Sequence, residues 1–104
     1  MKHTGQLALL ILLGISLATP GFAQQSGEAT YKAKCMSCHG SAGTPSAGMA
    51  KAMGIKPVSD PSIKALTVAQ MEAAVKNGKG KMKPIAGLTD AQVKDVVTYF
   101  RSLK

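Results

Sequence analysis

A chain of 104 residues allows one small domain and excludes a large multidomain enzyme. Thirteen Lys and Arg against five Asp and Glu leave a formal net charge of +8, which suits an acidic protein partner or an anionic membrane face. Aromatic residues make up only 4% of the chain and no nucleic-acid motif occurs, which argues against a nucleic-acid binder.

The N-terminus reads as an export signal. Lys2 and His3 give a short positive start, Leu7 to Leu17 an apolar run, and Thr19-Pro20-Gly21 a break. Gly21-Phe22-Ala23 supplies small residues where a signal peptidase cuts. The spacing predicts a signal peptide over 1–23 and a single domain over 24–104, located in the periplasm or another extracytoplasmic space. The apolar run is shorter than the roughly 20 residues of a membrane-spanning helix, so no stable membrane insertion is expected after cleavage.

The rest of the chain carries helix signals and no strand pattern. Ser26 is an N-cap with Glu28 in the acidic first turn, and Gly27, Tyr31 and Cys35 follow along one face. Ser41 to Gly48 is turn chemistry around Pro45. A short helix over Ala47–Met53 is stopped by Gly54, and Asp60-Pro61 opens another that runs to about Leu66. Thr67-Val68-Ala69-Gln70 is a capping box with Leu66 and Met71 as its hydrophobic staple, and its helix ends at Asn77-Gly78. Thr89-Asp90-Ala91-Gln92 repeats the box, with Leu88 and Val93 as staple. Val93, Val96, Val97, Phe100 and Leu103 then mark one apolar stripe.

Cys35-Met36-Ser37-Cys38-His39 carries the chemistry. C-x-x-C-H is the attachment sequence of a c-type haem. Each thiol can add across one vinyl group, and the adjacent imidazole is held against the iron. On a helical turn, residues three apart share a face, so both sulfurs can meet one edge of a porphyrin. A thioredoxin-like redox pair would need a βαβ context, which is absent. A structural zinc site needs four Cys or His ligands; the chain holds two of each, and His3 lies in the segment expected to be removed, which leaves three. A disulfide between Cys35 and Cys38 would close a very small loop.

Between the two capped helices lies Asn77-Gly78-Lys79-Gly80-Lys81-Met82-Lys83-Pro84. A thioether is a soft ligand suited to haem iron, the glycines let a loop bend over a ring face, and Pro84 stiffens its exit. The competing sulfurs are Met36, Met49, Met53 and Met71. A C-x-x-C-H motif after an N-terminal helix, a Gly-rich loop with a Met near a Pro, and a C-terminal helix with an aromatic together resemble the class I monohaem cytochromes c. Here the family's Met-Pro pair is Met-Lys-Pro.

The resemblance implies an all-α cytochrome c fold, with three main and one or two short helices around one covalently bound haem c. It implies covalent attachment at Cys35 and Cys38, and His39 and Met82 as the axial iron ligands. Gly27 and Tyr31 stand where the family's N-terminal helix crosses its C-terminal one, with Tyr99 or Phe100 on the other side. The family's proximal His donates to a Pro carbonyl, for which Pro45 is the nearest candidate. No Trp is available for a haem propionate, leaving Lys56, Ser59, Lys64 and Lys79.

The implied function is single-electron transport rather than catalysis, with redox proteins as partners. Lys34, Lys79, Lys81 and Lys83 would ring the haem edge and face an acidic docking surface. The rival is a haem enzyme or gas sensor with an open sixth iron position. That rival needs distal polar residues, and no second His remains after signal removal.

Overall fold

A computed structural model describes residues 26–104 together with Gly14. The expected signal peptide over 1–23 lies outside the described residues apart from that glycine. Six helices follow one another: α1 (Gly27–Lys34), α2 (Met36–His39), α3 (Ala47–Met53), α4 (Pro61–Lys64), α5 (Val68–Asn77) and α6 (Asp90–Ser102). Among the described residues there is no strand, only an isolated bridge between Lys79 and Met82. The architecture is all-α, with three main helices (α1, α5, α6) and one short helix more than expected. The extra one is the C-x-x-C-H turn itself, split from α1 where Cys35 leaves helical geometry at φ −120°.

The helix starts follow the capping chemistry. Ser26 Oγ accepts from Ala29 N, and both capping boxes are complete, Thr67 with Gln70 and Thr89 with Gln92. Gly54 closes α3 in the left-handed region. α4 stops at Lys64 rather than near Leu66, because Thr67 must leave helical geometry to cap α5.

The core is thin. Tyr31, Met71, Val75, Val93, Val96 and Val97 form one buried cluster, flanked by half-buried Leu66, Leu88, Phe100 and Leu103. The valine stripe of α6 supplies half of it. α1 crosses α6 more extensively than any other helix pair meets, and the crossing depends on a missing side chain. A Cβ on Gly27 would drive into the Asp95 carbonyl and stand 3.1 Å from Tyr99 Cβ. Tyr31 then packs between Tyr99 and Phe100, at ring-centroid distances of 5.4 and 6.1 Å. Gly27→Val should therefore cost about 2–3 kcal/mol through overpacking. Chemical denaturation of the haem-loaded protein measures this, and an unchanged midpoint would contradict the close crossing.

Candidate functional site

The C-x-x-C-H segment folds as a single tight turn. Cys38 N and His39 N both donate to Cys35 O, at 3.2 and 2.9 Å, and Gly40 N donates to Met36 O at 2.8 Å. This puts both cysteines on one turn, as the spacing predicts, with both thiols free and half-buried. Burial, helped by the neighbouring Cys38, pushes the Cys35 thiol up. A redox dithiol works through a lowered thiol, so the shift runs against a thioredoxin-like role.

Burial also pushes the His39 imidazole down, which keeps it neutral and fit to bind a metal. Its ring meets Phe100 edge-on at 5.5 Å. Nδ1 is buried without a partner, whereas Nε2 is not among the enclosed orphan atoms. Nε2 is thus the nitrogen open to a ligand. The expected bond from Nδ1 to the Pro45 carbonyl is not made. The chain doubles back so tightly that Thr44, not the Pro45 carbonyl, stands against Gly40.

Two supports of this turn were not legible as such in the sequence. Tyr31 Oη donates to the Gly40 carbonyl at 2.6 Å, tying α1 to the end of the motif. Burial pushes this phenol up to about 12, so it stays a donor through neutral and mildly alkaline pH. The other support is Phe100 against the His39 ring. A Tyr predicted to be deeply buried signals that its hydroxyl needs a partner, but not which one.

The methionine loop is fixed by its glycines. Gly78 has φ 79° and ψ 166°, a region open essentially to Gly alone, so α5 ends by a sharper break than an ordinary left-handed stop. A Cβ there would lie 2.7 Å from Met82 O and 2.9 Å from Pro84 Cδ. Lys79 and Met82 exchange backbone hydrogen bonds of 2.9 and 3.0 Å around Gly80, whose φ is 58°. Lys81 has no positive φ, so this is the turn with Gly at the first central position only. Ile85 N donates to Val75 O at 2.9 Å and pins the loop exit to α5.

Cys35 and Met82, 47 positions apart in sequence numbering, pack against the same core cluster, and His39 reaches it through Phe100. The rival sulfurs stand differently. Met71 is a core residue whose sulfur lies 3.8 Å from Arg101 Nη1, and Met36 is exposed. Met49 and Met53 are half-buried on α3, outside the cluster. Among the described residues no group of His, Cys, Asp and Glu forms a conventional metal site. Two free thiols and a neutral imidazole with Nε2 open, all on one turn, fit a covalently held haem rather than a bare ion.

A helical domain without strands, closing on a C-x-x-C-H turn, is the architecture of a small c-type cytochrome. Residues 22–100 match the family described as "Cytochrome C oxidase, cbb3-type, subunit III", and the chain belongs to that family. The chain is similar to the solved KustC0563 c-type cytochrome, with a TM-score of 0.68, 26% identity, and coverage of 76% of this chain and 98% of that one. A Tyr-to-Phe mutant of Kustc0563 gives a TM-score of 0.66 at 23% identity, covering 76% and 99%. No curated relative matches the chain. Family membership makes this a haem c electron-transfer protein.

Proposed function

We propose that the protein is an exported single-electron carrier. In this reading Cys35 and Cys38 hold one haem c through thioethers, and His39 Nε2 and Met82 Sδ are the axial ligands. The observation that carries it is the packing of the motif turn and the Met82 loop on one apolar cluster. When bound, the haem supplies an iron that takes up and gives back one electron. The protein's part is to keep two ligands on that iron in both oxidation states, so that little rearranges on transfer. His39 is held by the edge-on contact of its ring with Phe100 and by the Tyr31–Gly40 bond at the next residue, and Met82 by the turn at Gly80. A His/Met pair raises the reduction potential, which suits an acceptor of electrons from low-potential donors.

Export accords with the basic start and apolar run over 1–23, and no described helix is long and apolar enough to cross a membrane. A second reading, a haem-bearing component of a larger terminal oxidase, is favoured by the description of the matched family. Its local chemistry is the same.

Lys34, Lys79, Lys81 and Lys83 are exposed, and Lys79 and Lys83 lie on either side of Met82 in sequence. Oxidation of the reduced protein by an acidic redox protein should therefore slow with salt. Screening shortens from about 30 Å at 0.01 M to about 10 Å at 0.1 M, and a fall of about tenfold in the association rate is expected over that range. Lys79→Gln with Lys83→Gln should flatten the dependence, with less effect on dissociation. Stopped-flow oxidation across an ionic-strength series is the test. A rate independent of salt would reduce this surface to solubilising charge.

A further inference from the structure

The methionine loop and the segment after the haem motif are separate parts of the domain. Ile85 ties the loop to α5, whereas Val58 N donates to Gly43 O and closes the other segment on itself. α3 lies within that second segment, has no buried residue, and makes no extensive packing with another helix. One hydrogen bond joins the two parts among the described residues: Lys81 Nζ donates to the Ala52 carbonyl at 2.9 Å. Ala52 lies in the last turn of α3, where carbonyls lack helical partners and a cation suits the dipole. Lys81 is also the residue next to Met82 and the second central residue of the Gly80 turn. A bond made at this position fixes the turn from outside, one residue from the sulfur.

We propose that Lys81 is a positioning residue for the axial sulfur: its ammonium clasps the Met82 loop to the end of α3 and slows the loop's departure from the iron. The proposal rests on the reading of Met82 as ligand. It also divides the lysines of the loop by task. Among the described residues the ammonium groups of Lys79 and Lys83 make no hydrogen bond or ion pair and stay free for docking, while that of Lys81 is engaged within the fold.

The test is imidazole binding to the ferric, haem-loaded protein, since imidazole enters when the thioether leaves. Lys81→Ala should bind imidazole about fivefold faster than the unmodified protein, the size expected for one exposed charge-assisted hydrogen bond. Lys81→Arg, which can reach the same carbonyl, should return the rate to within about twofold of the unmodified value, well short of the effect of losing the bond. Lys94→Gln, an exposed charge on α6, controls for net charge and should not move the rate. If the unmodified protein shows the sulfur-to-iron band and Lys81→Ala binds at the unmodified rate, the clasp is wrong and the ligand reading stands. An Arg variant as fast as the Ala variant also overturns the clasp. Absence of the band from the unmodified protein overturns the ligand and the clasp together.

Discussion

Met82→Ala is expected to keep its haem through denaturing electrophoresis, yet to bind carbon monoxide in the ferrous state. The two properties separate because they rest on different parts of the chain. Attachment belongs to the Cys35–His39 turn, which is closed by its own backbone bonds and by Tyr31. On the proposed ligation the sixth position belongs to a loop anchored at α5 by Ile85 N and shaped by Gly78 and Gly80. Removing the sulfur leaves the turn intact and takes away the ligand that favours the reduced iron. The potential should fall by on the order of a few tenths of a volt, within the roughly 0.8 V that axial ligands span. Potentiometric titration and carbon monoxide difference spectra measure both effects. A mutant that still shows sulfur ligation would transfer the role to Met49 or Met53, the half-buried methionines of α3.

The double substitution Cys35→Ala and Cys38→Ala is expected to abolish covalent haem and with it most of the fold. The described core contains only seven buried apolar residues, and just one of them, Tyr31, is aromatic. Cys35, Ile63, Leu66, Met82, Ile85 and Phe100 are only half-buried around it, surface that a flat apolar cofactor would cover. Helices as short as α2, α3 and α4 do not persist on propensity alone, and a domain this small is marginal without a staple. Haem staining after denaturing electrophoresis, with far-ultraviolet circular dichroism of the purified chain, checks both halves. A haem-free variant with native helicity and a cooperative thermal transition would show that the protein core suffices.

The parts of this fold that local chemistry determines were readable from the residues. Capping boxes at Thr67 and Thr89 are written in four consecutive positions each, and the α6 stripe repeats often enough to fix its buried face. The crossing at Gly27 was legible through the family resemblance, and its physical reason is the close approach of the backbones, since a Cβ there would drive into the Asp95 carbonyl. The rest depends on which distant carbonyl a group finds. Tyr31 had to reach Gly40, nine residues on, and Lys81 had to reach Ala52, 29 residues back. No periodicity records such pairings. The Pro45 carbonyl failed as a partner for His39 for the same reason: the path of the turn after Gly40 is set by Gly43 and Thr44 contacts that spacing does not encode.

The central claim is that one haem is held by Cys35, Cys38 and His39 and closed by Met82. Visible spectra of the haem-loaded protein in both oxidation states test it most directly. The account predicts low-spin spectra in both states, a reduced form typical of two-thioether haem c, and a weak far-red band of sulfur-to-iron ligation in the ferric form that Met82→Ala removes. High-spin bands in the unmodified protein, with no far-red band, would contradict it and point to an open sixth position.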